Sequence, residues 1–284
     1  MLLAAILTLS GCSTLRLAYN TAPELVYLWL DNFVDFNEEQ SQKVREGLAG
    51  WFGWHRATQL NDYAALLARL QTQMPEPMTP ALTCRWMDEI GERLKTGFEQ
   101  AVPTTAEVVL SLTPEQLQHV ERRYAKRNAE FRAEFLQASP KERLEASVKR
   151  TIERVETLYG RLDAAQRERI ANGVASSPFD PELWLAERKA RQRDSMQSFA
   201  NLLAERKAPK ENQLAAAQGA LRALARRVED SPRPLYRAYQ EKLAQYNCAF
   251  AADLHNLTTA AQRQAAVLKL KAWESDLRML AAER

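Results

Sequence analysis

Thiols, imidazoles and paired carboxylates are the side chains from which this chain could build a reaction, and they are sparse. Its three histidines, His55, His119 and His255, form neither HExxH nor the His-x-x-x-His pair that a zinc site needs. His119 and Glu121 stand two apart, which on a helix points them in different directions. No GxGxxG, P-loop or GxSxG occurs. Carboxylates interleave with bases, as in Glu142, Arg143, Glu145, Lys149, Arg150, Glu153 and Arg154. That spacing suits solvated helix faces with i,i+4 pairs, not an acid–base dyad. The basic run Arg188, Lys189, Arg191 and Arg193 lies among Glu182, Glu187, Asp194 and Glu205. It reads as a solvated face, the alternative being a contact with lipid phosphate. Lys and Arg number 39 against 36 Asp and Glu, a net +3 without the concentrated patch that nucleic-acid binding requires. The expectation is a chain that is not an enzyme, with no metal, no cofactor and no nucleic-acid partner.

Cys12 belongs to a different chemistry. Met1 to Gly11 is uncharged and apolar, and too short to span a bilayer, which takes about 20 residues. Such a run reads as a secretory signal. Leu9-Ser10-Gly11-Cys12 resembles the bacterial lipobox. The resemblance implies cleavage before Cys12, acylation of its sulfur and its new amine, and anchoring to a membrane. Ser13, where an Asp would retain the protein in the inner membrane, implies the outer membrane and a periplasm-facing body. No Lys or Arg precedes the apolar run, which places the expected true start a few codons upstream. The organisation expected is a signal peptide over 1–11, a lipidated N-terminus and tether over 12–21, and one helical domain over 22–284, with a candidate subdivision near 176–180.

Lipidation of Cys12 leaves two thiols, Cys84 and Cys248. An even number in an oxidising compartment suits a disulfide. The alternative is two buried free thiols acting as small apolar side chains.

The body is predicted to be all-α, an array or bundle of about eight to ten amphipathic helices. Good helix formers dominate and no period-two alternation is sustained. Apolar residues recur at helical spacing: Leu60, Tyr63, Leu67 and Leu70; Leu144, Val148, Ile152, Val155 and Leu158; Leu270, Trp273, Leu277 and Leu280. Reading each proline from Pro75 onward as a boundary gives helices over 22–35, 38–73, 80–101, 114–137, 140–161, 164–175, 181–206, 210–229, 234–256 and 260–282.

Four helix starts share one device. Asn37 with Gln40, Thr113 with Gln116, Asp163 with Gln166, and Thr259 with Gln262 each set a capping oxygen three residues before a Gln, the pattern of a capping box. Ser139 with Glu142 is a fifth. Leu112-Thr113-Pro114-Glu115-Gln116 and Leu162-Asp163-Ala164-Ala165-Gln166 resemble the LTxxQ pattern of Spy-like periplasmic chaperones, all-helical proteins that bind unfolded chains on a cradle surface. Asp replaces Thr in the second box, and an extra residue separates Leu257 from Thr259. Over nearly the whole chain, the lipobox, Ala18-Tyr19-Asn20, Tyr27-Leu28-Trp29-Leu30-Asp31 and Arg127-Asn128-Ala129-Glu130-Phe131 look like an uncharacterised proteobacterial family of helical lipoproteins.

Two further features stand above the background. Gly47, Gly50 and Gly53 recur beside Trp51, Phe52, Trp54 and His55, at a cost of about 1 kcal/mol each inside a helix. They predict either a packing seam or an aromatic-walled groove. Tyr27 to Phe36 predicts a core helix or a helix on the membrane surface. The function expected is that of an outer-membrane-anchored, non-enzymatic lipoprotein with an envelope protein partner. The alternatives are a Spy-like chaperone and a carrier of an apolar ligand between helices.

Overall fold

A computed structural model of the chain describes residues 14–205 and 209–283. Leu9, Ser10, Gly11 and Cys12 lie outside the described residues. Eleven helices and no strands occur among those described: α1 Thr14–Val34, α2 Glu38–Thr58, α3 Leu60–Gln73, α4 Pro80–Ser111, α5 Pro114–Phe135, α6 Pro140–Tyr159, α7 Ala164–Ala175, α8 Pro181–Ala204, α9 Lys210–Glu229, α10 Pro234–Asn256 and α11 Ala260–Ala282. No helix among these residues is long and apolar enough to cross a membrane.

The all-α reading holds, and the count of eight to ten is corrected to eleven. The stretch 38–73 is two helices rather than one. Thr58 bonds back through its hydroxyl to the Trp54 carbonyl at 2.8 Å, a contact that bends helices. The chain turns at Gln59 and buries Leu60. At the N-terminus, helix begins at Thr14, so residues 14–21 of the expected tether belong to α1.

Pro103 fails as a boundary, because it lies inside α4; Pro23 likewise lies inside α1. A mid-helix proline costs about 3 kcal/mol. At Pro103 that cost is offset by burial on both sides, because Val102 and Ala106 are sealed in one core while Pro103 itself faces outward. α6 ends at Tyr159, short of the expected 161, because Gly160 takes φ +76, a region only glycine enters freely.

α4, 32 residues long, spans about 48 Å and is the spine. Its first turns join a core of Met74, Met78, Tyr159, Ala252, Ala266 and Leu270, where Leu82 packs with α3, α6, α10 and α11. Its second half supplies Val102, Ala106 and Val109 to a core completed by Leu202, Ala217 and Leu221 from α8 and α9. α11 lies along α3, and α1 packs on α2, α5 and α11. Cys84 of α4 and Cys248 of α10 are joined by a disulfide with Cα atoms 5.3 Å apart.

Candidate functional site

The four Gln-containing boxes form as reciprocal pairs of bonds at the starts of α2, α5, α7 and α11. Ser139 caps α6 by a single bond from the Glu142 N–H at 3.3 Å. The structure then brings the boxes together two by two. Gln116 Nε2 donates to Gln40 Oε1 at 2.6 Å, and Gln40 Nε2 donates back at 3.1 Å. Gln166 and Gln262 exchange the same two bonds at 2.7 and 2.9 Å. Each amide also donates to a carbonyl two residues before its partner's cap: Gln40 to Ser111, Gln116 to Asp35, Gln166 to Leu257 and Gln262 to Arg161. Asp35 holds the positive φ of 64° that ends α1, and its carbonyl is thereby fixed. These residues are clasps between helix ends. Their amides are spent inside the fold.

The feature best suited to bind something is an apolar cleft of about 910 Å³ between α1, α2 and α4. α1 contributes Val26, Leu30 and Phe33; α2 contributes Val44, Trp51 and Phe52; α4 contributes Ala101, Val108 and Val109. Val120, Tyr124 and Phe199 close it behind. The glycines divide their roles. A Cβ on Gly47 would run into the Thr104 side chain, so Gly47 is the seam where α2 meets α4. A Cβ on Gly50 would meet nothing within 4 Å, and Gly50 lines the cleft. Trp51 is fixed by its indole N–H bond to the Gly97 carbonyl at 2.8 Å and by stacking on His55 at 4.7 Å. Charge is confined to Lys43, Glu46 and Glu107, with Lys43 and Glu107 half-exposed and paired at 3.0 Å. An apolar lining with few polar groups, at this volume, is the usual form of a small-molecule site.

The histidines serve the frame. His55 Nδ1 meets the Tyr19 hydroxyl at 2.9 Å and Nε2 the Tyr63 hydroxyl at 3.3 Å. His255, 1 % exposed, has Nε2 2.8 Å from the Glu76 carbonyl, which can only accept, so Nδ1 accepts from Tyr159 at 2.8 Å. Burial holds both imidazoles below the ordinary histidine pKa and pushes Tyr159 up to about 12. In the unfolded chain each His protonates near pH 6.5. Between that pH and the lower folded value the unfolded state binds more protons. Stability is therefore whole above about pH 6.5 and falls as pH drops through this window. Urea midpoints measured from neutral to acid pH should fall, and His255→Gln should flatten that slope; an unchanged slope contradicts the assignment.

His119 donates its Nε2–H at the surface to the Asn32 carbonyl, 3.2 Å away. Among the described residues no cluster of three His, Cys, Asp or Glu could hold a metal ion. In the basic run, Arg191 bonds Glu187 at 2.9 Å and Arg188 lies over the Trp184 ring. The described residues form an all-helical scaffold with a large apolar cleft whose charged lining is Lys43, Glu46 and Glu107.

A model of Family of unknown function (DUF6279) matches residues 32–229, and the chain belongs to that family. No curated protein matches the chain, and no solved structure matches it.

Proposed function

We propose that the protein is a lipid-anchored envelope protein of the outer membrane, facing the periplasm, that works by binding rather than catalysis. Its binding site is the α1–α2–α4 cleft and its ligand is an apolar small molecule. The observation that carries this reading is the cleft itself, about 910 Å³ and lined by Val, Leu, Phe and Trp. The lipobox resemblance at Leu9 to Cys12 and the Cys84–Cys248 disulfide, which suits an oxidising compartment, support the location. The similarity to Spy-like chaperones rests on caps whose amides are consumed between helices, which favours a structural role for Thr113, Gln116, Asp163, Gln166, Thr259 and Gln262.

The test is Gly50→Phe. The new side chain has room at the cleft and replaces a helix glycine, so stability should hold or rise. An environment-sensitive fluorescent fatty acid should bind the native chain, and should bind the variant at least about tenfold more weakly, some 1.4 kcal/mol. Equal affinity for both places the ligand elsewhere.

A further inference from the structure

The outer face of α1 is unlike any surface the cleft or the clasps require. Its inner side chains are committed: Val26, Leu30 and Phe33 line the cleft, and Tyr27 is buried. The other side carries Leu17, Leu25, Leu28 and Trp29, which are 60 %, 59 %, 51 % and 52 % exposed. At 3.6 residues per turn these four fall within an arc of about 120°. Thr14, Ala18, Thr21 and Asn32 share the arc, and no charged residue of α1 does. Glu24 stands just outside it and is drawn aside by Arg45. Single exposed apolar residues are ordinary, but a continuous uncharged stripe with a Trp at its edge is a surface for something apolar.

We infer that this stripe lies on a lipid bilayer, with α1 as an interfacial helix. The inference rests on the anchor reading in one respect: Cys12 stands two residues before the helix begins at Thr14. Even fully extended, the chain from Cys12 to Leu17 spans at most about 18 Å, so acyl chains on Cys12 hold the start of the stripe beside the membrane. The aromatic edge fits the headgroup level, where Trp is favoured. The only base on α1 is Arg16, turned inward to Asp276 at 3.6 Å. Attraction to anionic lipid therefore contributes little, and contact should be the same on neutral and anionic vesicles. Trp29 stacks on Phe33 at 5.4 Å, and Phe33 lines the cleft, so one helix forms both the membrane contact and a cleft wall.

The experiment separates stripe from anchor. The chain from Ser13 onward, with an N-terminal His tag in place of the acyl chains, is held on nickel-chelating phosphatidylcholine vesicles, with and without phosphatidylglycerol. Some of the lipid is brominated near the top of its acyl chains. Bromine should quench a component of the tryptophan emission that Trp29→Phe removes. The double variant Leu25→Glu, Leu28→Glu should lose that quenching at an unchanged thermal midpoint, since both side chains are exposed. No difference in quenching between the native chain and Trp29→Phe overturns the inference, as does quenching that survives the double variant. The anchor is read independently by palmitate labelling of full-length protein, native and Cys12→Ala. A lack of label on Cys12 sinks the anchor and leaves the vesicle result to decide the stripe.

Discussion

Replacing Cys84 and Cys248 by alanine lowers the unfolding free energy by up to about 5 kcal/mol, the figure the chain-entropy relation gives for a closed loop of this size. The bridge joins residues 164 apart in sequence, so the denatured chain it constrains would otherwise explore most of its length. The Cα separation of 5.3 Å lies within the range a disulfide accepts. The bridge also fastens α10 to the first turns of α4, which are shared with the core of Met74, Met78 and Leu270. Strain and residual denatured structure reduce the measured loss below the entropic ceiling. Urea unfolding of oxidised native protein, reduced native protein and the double variant should give one high midpoint and two low ones. Coincident midpoints, or two free thiols in denatured unreduced protein exported to the periplasm, would rule the bridge out.

Glu187→Ala is the next most damaging change. Its carboxylate is 3 % exposed on α8, yet one oxygen accepts from Arg191 Nε at 2.9 Å, Ser231 Oγ at 2.9 Å and Arg233 Nη1 at 3.2 Å. Arg233 bonds Asp194 as well, at 2.8 Å, and these bonds keep its guanidinium pKa raised. The cluster therefore pins the turn between α9 and α10 onto α8. Breaking a buried pair costs about 3–5 kcal/mol, because the remaining partners are left uncompensated. The lower end applies here, since Arg191 and Arg233 each keep some access to water. Glu187→Gln should cost less than Glu187→Ala, because its amide oxygen can still accept from Ser231. Denaturant midpoints for Glu187→Gln, Arg233→Met and the double variant give the coupling; additive losses mean the cluster carries no mutual stabilisation.

What the residues disclosed in advance was local, and what they withheld was long-range. Helix starts were legible because a cap and its Gln sit three residues apart. The second use of those amides could have been suspected. Gln stands in all four boxes where Glu would cap as well, and only an amide has N–H groups left to donate. Which box would meet which had no local mark, since the partners are 76 and 96 residues apart. Gly47, Gly50 and Trp51 announced one wall of the cleft. Its opposite wall, Ala101 to Val109, was hidden because Pro103 read as the end of a helix that in fact runs to Ser111. Glu187 was visible only as one of several acids near a basic run. Ser231 and Arg233, which make it a buried centre, are more than forty residues away. The outward turn of Leu25, Leu28 and Trp29 needed the packing of α1 on α2, α5 and α11 to define an outside.

The central claim, an apolar ligand in the α1–α2–α4 cleft, is tested most directly by mass spectrometry of the intact protein purified from its own envelope. The native chain should carry an apolar molecule released by organic solvent, and Gly50→Phe, prepared in parallel, should lack it. An equal load on both proteins, or no ligand on either, would contradict the claim.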